Sequence, residues 1–267
     1  MSVKRKDGVV IYAKEDFEGM RKAGKLAAEC LDYITPYVRV GVTTGELDDL
    51  CREFITSHGA IPACLGYRGY PKSTCISINH VICHGIPDYE RKLADGDILN
   101  IDVTVIVDGW FGDTSRMYYA GKPKLKATRL CDVTYECMMR AIDIVKPGVR
   151  LGDIGAVIEE HAYKYGYSVV DMFCGHGLGR VFHDEPNVMH VGRKGTGALL
   201  EEGMFFTIEP MINIGRPDGI ILQNGWTAVT RDKSLSAQFE HSLGVTSDGF
   251  EVFTYSPKGM DKPPYKE

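Results

Sequence analysis

Asp95-Gly96-Asp97-Ile98-Leu99-Asn100-Ile101-Asp102 is echoed 107 residues later by Glu202-Gly203-Met204-Phe205-Phe206-Thr207-Ile208-Glu209. A second pair shares the spacing: Val40-Gly41-Val42-Thr43-Thr44-Gly45-Glu46-Leu47 and Pro147-Gly148-Val149-Arg150-Leu151-Gly152-Asp153-Ile154. Two chance likenesses would not be expected to keep one register. The chain therefore reads as a duplicated α/β half, folded into one body about a pseudo-two-fold axis. Ligand sites favour the junction of such halves. Both echoed segments also end an apolar run on a carboxylate, Asp102 and Glu209. A charge placed there costs several kcal/mol unless it is paired or bound to a metal.

Working outward, Ile98–Val107 and Trp110–Tyr119 are rich in β-branched and aromatic residues and flank Asp108-Gly109, the signal for a two-residue hairpin turn. That turn sets Val107 opposite Trp110 and Asp102 opposite Ser115. Asp113 then lies on the same face as Asp102, one diagonal step away, at roughly 7–8 Å between Cα atoms. A cation between them would relieve the repulsion; a solvent-facing carboxylate pair is the other solution this hairpin allows.

The flanking pattern is helical. An amphipathic helix is expected from Glu15 to Ile34, closed by Pro36, with Phe17, Met20, Ala23, Leu26, Ala27, Cys30 and Leu31 on its inner stripe. A second follows Thr44, with a Thr-plus-acid capping signal and Leu47, Leu50, Phe54 and Ile55 inward. A strand is expected over Ser73–Ile82. Helices are then expected over Leu125–Val145 and Leu151–Tyr165, and strands around Gly203–Ile214, Trp226–Thr230 and Gly244–Tyr255. The organisation predicted is an N-terminal segment (1–13), a single body (14–255, halves roughly 14–120 and 121–255) and a polar, frayed tail (256–267).

Composition narrows the function. A net charge of −5 argues against a nucleic-acid binder. No apolar stretch approaches the ~18 residues needed to span a bilayer, and the basic N-terminus lacks the apolar core of a secretory signal, so a soluble intracellular chain is expected. The eight cysteines include no CxxC pair, which points to reduced, buried thiols.

Other polar residues occupy suspicious places. Glu209 precedes a proline in an apolar strand, Glu240-His241 ends Ser-Leu-Ser-Ala-Gln-Phe-Glu-His, and His176 sits among glycines that let backbone crowd a site. His183 and His84 recur in similar runs, whereas His58, His80, His161 and His190 read as ordinary surface or core histidines.

Together the runs CHGIP (83–87), NIDVTV (100–105), GDTSRM (112–117), CGHGLGR (174–180), FHDEP (182–186), FTIEPM (206–211) and SAQFEH (236–241) resemble the type I methionine aminopeptidases, in order, over about Lys14 to Tyr255. The resemblance implies the pita-bread fold, an α/β (α+β) body of duplicated halves around a central antiparallel sheet. It implies two divalent ions (Mn, Fe(II), Co or Zn) held by Asp102, Asp113, His176, Glu209 and Glu240. Asp113 and Glu240 would bridge the ions, Asp102 would complete one sphere, and His176 with Glu209 the other. Four carboxylates balance two divalent charges, and a set without thiolate argues against a structural zinc site.

It further implies catalytic roles for His84, His183 and Glu209: proton relay by Glu209, steadying of the carbonyl oxygen by His183, and a hydrogen bond from His84 to the scissile nitrogen. Cys64, Tyr67, Tyr70, Cys75, Phe182 and Trp226 would line the methionine pocket, where sulfur and aromatic edges favour a thioether. The expected task is removal of the initiator methionine from nascent chains with a small second residue. The enzyme would be a cytoplasmic monomer in transient contact with the ribosome, away from membranes and without nucleic-acid readout. The rival readings are a proline-specific hydrolase of the same fold and a non-catalytic binding protein. Against the first stand the early start of the catalytic body and the segment CLGYRGY (64–70).

Overall fold

The computed structural model describes residues 2–265, and among them four helices and seventeen short strands alternate in two rounds. The first round contains β1 (Val3–Lys4), β2 (Val10–Ile11), α1 (Phe17–Ile34), α2 (Thr44–Ser57), β3 (Ile61–Pro62), β4 (Cys75–Ile78), β5 (Val81–Cys83), β6 (Asp97–Val107) and β7 (Trp110–Ala120). The second contains α3 (Leu125–Asp143), α4 (Leu151–Lys164), β8 (Ser168–Val169), β9 (Gly175–Gly177), β10 (Asp184–Val188), β11 (Phe205–Ile208), β12 (Met211–Asn213), β13 (Gly219–Ile221), β14 (Ala228–Thr230), β15 (Ser236–Gln238), β16 (His241–Val245) and β17 (Phe250–Val252). In each round two helices cover an antiparallel sheet, as the echoed segments require.

Local chemistry explains the elements. Thr43 caps α2, one residue before the expected start: its hydroxyl accepts from the Glu46 N–H (3.1 Å) while the Glu46 carboxylate accepts from the Thr43 N–H (2.8 Å). Leu26, Ala27, Cys30 and Leu31 of the α1 stripe pack with Leu47, Cys51 and Ile55 of α2 onto Ile101, Val103 and Val105 of β6, while Phe17, Met20 and Ala23 pack with Trp110 and Phe205. A larger core gathers α3 and α4 over Phe206, Ile208 and Ile212.

The hairpin has the predicted register. Val107 pairs with Trp110, Asp102 with Ser115 and Thr104 with Asp113. Asp108 (φ 51°) and Gly109 (φ 78°) both take left-handed backbone, as a type I′ turn demands. Helix α1 lies very close to this pair: a Cβ on Gly112 would sit 2.2 Å from the Ala23 carbonyl.

Several expectations need correction. The strand expected over Ser73–Ile82 is broken at Asn79 (φ 56°), whose amide donates to Asp97 (2.7 Å). That break frees β5 to cross and pair with β14. The strand expected over Gly203–Ile214 is likewise two strands. Pro210 has no N–H for a ladder, so β11 pairs with β16 while β12 pairs with β15 and β8. Gly244–Tyr255 is the β16–β17 hairpin, entered already at His241.

The tail is not frayed over its described part. Ser256 donates to Asp32 (2.8 Å), and the Tyr265 hydroxyl donates to the Met117 carbonyl (2.7 Å) with its ring 5.2 Å from Tyr118. Lys266 and Glu267, the rest of that expectation, lie outside the described residues.

The rounds meet between β7 and the β15–β16 segment. Ser115 and Glu240 form a bridge, Thr114 donates to the Glu240 carbonyl (2.7 Å), and Asn100 donates to the Gln238 carbonyl (2.8 Å). Every suspected carboxylate arrives at this seam.

Candidate metal centre and substrate cleft

A cleft of about 480 Å³ opens at the seam, and all five expected metal ligands line it. The hairpin register supplies Asp102 and Asp113, the β11–Pro210 break supplies Glu209, and the seam bridge supplies Glu240. Strand β9, where Gly175 and Gly177 admit the Thr207 and Glu185 backbones, supplies His176. Ligand atoms of Asp113, His176 and Glu240 lie within 4.8 Å of one another, and all three residues are buried. His176 Nε2 is 3.5 Å from Asp113 Oδ2 and 3.7 Å from Glu209 Oε1.

Surrounding groups aim these ligands. His176 Nδ1 lies 3.1 Å from the Gly177 carbonyl. A carbonyl only accepts, so Nδ1 carries the proton and Nε2 offers its lone pair to the cluster. Thr104 donates to Asp113 Oδ1 (2.7 Å), Thr207 to Glu209 Oε1 (2.7 Å), and Gln238 to Glu209 Oε2 (3.2 Å). The Glu209 N–H donates to His190 Nε2 (3.1 Å). Asp102 Oδ1 is buried without a hydrogen-bond partner among the described residues.

The electrostatics follow from crowding. Burial, then Asp113, pushes Asp102 well above the usual carboxylate range, and burial with the same neighbours does so for Glu240. Burial pushes Glu209 up to about 7. Burial works against a charge on His176, but Asp113 and Glu209 outweigh it and raise its pKa. The close group of Asp113, Glu240 and His176, with Asp102 and Glu209 lining the same cleft and an unsatisfied carboxylate oxygen on Asp102, fits divalent cations well.

The residues expected around the substrate side chain lie on the cleft wall. Cys64, Tyr67, Tyr70, Cys75, Phe182 and Trp226 all line it. Tyr70 is pinned by bonds to the Thr74 and Gly85 carbonyls, both 3.0 Å, and its ring meets Trp226 edge-on at 5.1 Å. His84 and His183 face the same space. Burial lowers the pKa of His84. The His183 ring meets His176 and Phe182 at a tilt, both at 4.2 Å, and stacks on Tyr67 at 5.1 Å; burial lowers its pKa to about 4. Its Nδ1 lies 2.9 Å from the Tyr67 hydroxyl.

His241 turns away to Thr254 (2.9 Å). His190, read from sequence as ordinary, is fully buried beneath Glu209. Thr104 and Thr207 were also missed, although both were within reach of the pattern: Thr104 pairs across from Asp113, and Thr207 lies two residues before Glu209 on the same strand face. Gln238 arrives from a distant strand and leaves no local signal.

A duplicated body with clustered carboxylates at its seam defines a metallopeptidase, and the chain belongs to metallopeptidase family M24, whose pattern matches residues 18–247. It is similar to the methionine aminopeptidase of Rickettsia prowazekii, at 61% identity over 258 residues, covering 96% of this chain and 99% of that one. The crystal structure of methionine aminopeptidase from Rickettsia prowazekii superposes with a TM-score of 0.91, covering 92% of this chain and 99% of that one. The methionine aminopeptidase of Escherichia coli is 53% identical over 247 residues, covering 92% of this chain and 94% of that one. Prolidase from Pyrococcus furiosus shares the fold (TM-score 0.74) at 22% identity, and this chain covers 65% of it. The fold is the pita-bread fold of that family.

Proposed function

We propose that this chain is a methionyl aminopeptidase that removes the first methionine from newly made chains whose second residue is small. The observation that carries the reading is one cleft with two ends. A carboxylate cluster lies beside a pocket walled by sulfur and aromatic rings, and relatives of that activity match nearly end to end.

Asp102, Asp113, His176, Glu209 and Glu240 would hold two divalent ions, with Mn, Fe(II), Co and Zn all compatible with this set of donors. Such a pair, when bound, supplies an acidified water and polarises the scissile carbonyl. The chain's own groups do the rest. Glu209, which lines the cleft and is held by Thr207 and Gln238, would take a proton at its carboxylate from the attacking water and return it to the departing amine. His183, positioned by the contact of its Nδ1 with the Tyr67 hydroxyl (2.9 Å), would hydrogen-bond the substrate carbonyl oxygen. His84, kept neutral by burial, hydrogen-bonds the scissile nitrogen. Cys64 and Cys75 meet the thioether, and the Tyr70–Trp226 pair walls the pocket's end.

The same reading places the protein in the cytoplasm, as a monomer that meets the ribosome transiently and reads no nucleic acid. Among the described residues no helix is long and apolar enough to cross a membrane. Sedimentation alone and with ribosomes tests this; a stable dimer, or no salt-sensitive co-sedimentation, would contradict it. We take residues 14–255 as the catalytic body. A proline-specific activity is the weaker reading, since likeness to prolidase extends only to the fold.

The deciding assay offers the metal-stripped protein Met-Ala-Ser and Ala-Pro-Ser with each metal in turn. Release of methionine from the first peptide alone is expected. Cleavage of only the second would move the chain to the proline-specific branch, and cleavage of neither would leave a binding role.

A further inference from the structure

A polypeptide whose first residue fills the cleft must leave across its rim, and beyond Met172 on one side of that rim lies an unpaired strand edge. Strand β13 ends the three-stranded sheet β13-β14-β5, and among the described residues nothing pairs with its outer side. Strand β5 runs directly into His84, so this sheet belongs to the wall of the site.

The register fixes which groups are free. Leu222 N–H donates to the Thr227 carbonyl (2.8 Å) and Arg231 N–H to the Asp218 carbonyl (3.2 Å). Hydrogen bonding alternates along an antiparallel pair, so Asp218, Ile220 and Leu222 bond to β14. Gly219 and Ile221 therefore hold their N–H and C=O groups toward the open edge.

Side chains at this edge are apolar and exposed: Ile221 by 53% and Leu222 by 40%, with Met172 on the neighbouring rim by 41%. Met172 also lines the cleft. It touches the strand as well, for a Cβ on Gly219 would lie 2.9 Å from its Sδ. The apolar rim is thus continuous from the cleft to the edge strand. An exposed strand edge, even one as short as the three residues of β13, is a template for an added strand.

We propose that β13 is an extended-substrate site, on which the residues beyond the first few of the substrate chain pair as an added β-strand. This rests on the aminopeptidase reading and deepens it. Main-chain bonds at Gly219 and Ile221 make the site tolerant of sequence, as a general processing enzyme needs. The Ile221–Met172 surface favours apolar side chains at alternate substrate positions.

The test compares the metal-loaded full chain on Met-Ala-Ser and on a nonapeptide beginning Met-Ala-Ser with alternating Val and Thr after it. The expected result is a kcat/KM about tenfold higher for the nonapeptide, carried mainly by KM. Ile221→Lys, or N-methylation of alternate amides in the distal peptide, should remove that advantage and leave tripeptide turnover unchanged. Ile221→Val should retain it. Equal kcat/KM for the two peptides, or an advantage that survives both changes, would overturn the proposal. So would a peptide-independent dimer that Ile221→Lys dissociates, because a second copy would then own the edge. Failure of the parent protein to cleave Met-Ala-Ser would instead strike the aminopeptidase reading, and this inference with it.

Discussion

Asp102 Oδ1 is the atom that most plainly demands a cation, buried with no hydrogen-bond partner among the described residues. Burial, with the charge of Asp113 next, raises the pKa of Asp102 itself and of Glu240 well above the usual carboxylate range. The consequence for stability has opposing signs. Glu209, moved from 4.5 to about 7, stabilises the metal-free fold at low pH and loses that effect as pH rises through 7. Buried His190 and His241, moved from 6.5 to about 3, contribute stability above 6.5 and lose it as pH falls. The two trends partly cancel, so the metal-induced shift in Tm is the cleaner readout. Protons compete with the cation for the carboxylates, and the rise in Tm on adding excess Mn(II) should therefore grow from pH 5.5 to pH 8. A shift independent of pH would contradict the assigned ligands. At this scale the sequence was legible wherever charge interrupted an apolar run, as at Asp102 and Glu209. It was silent for Gln238, and it read His190 only as an ordinary surface or core histidine, because a buried neutral acceptor of the Glu209 N–H leaves no mark in composition.

Among the elements, the β6–β7 hairpin does most to build the site, and α1 sets its position. Gly112 lies next to Asp113, and its missing side chain lets the Ala23–Gly24 backbone pass at contact distance. Gly112→Ala should push α1 outward, with a cost of about 1–3 kcal/mol or more in denaturant unfolding, and should weaken metal binding by displacing Asp113. Unchanged stability would show that the helix can give way freely. The hairpin was readable because Asp-Gly between β-rich runs specifies both turn and register. The breaks at Asn79 and Pro210 were not read, since β-rich composition continues through both. A switch of sheet partners is a tertiary event, although the proline was a usable warning.

For the whole molecule, the 107-residue echo foretold the duplicated architecture and the seam where the site lies. The C-terminal segment went unread because its composition is polar. Its anchoring depends on Ser256 reaching Asp32 and Tyr265 reaching Met117, contacts made across the first round. Asp32 also holds the buried Arg116. Removing residues 256–267 leaves that pair without Ser256 and bares the Tyr118 ring, so Tm should fall by several degrees, roughly what 1–2 kcal/mol produces in a domain of this size. An unaltered Tm would mean that the segment rests on the body without bracing it.

The most direct test titrates Mn(II) into the stripped protein while following both bound metal and methionine released from Met-Ala-Ser, with Glu240→Ala alongside. Release should rise with occupancy toward two ions per chain and be lost in the variant. Release at full rate without metal, or undiminished in Glu240→Ala, would contradict it.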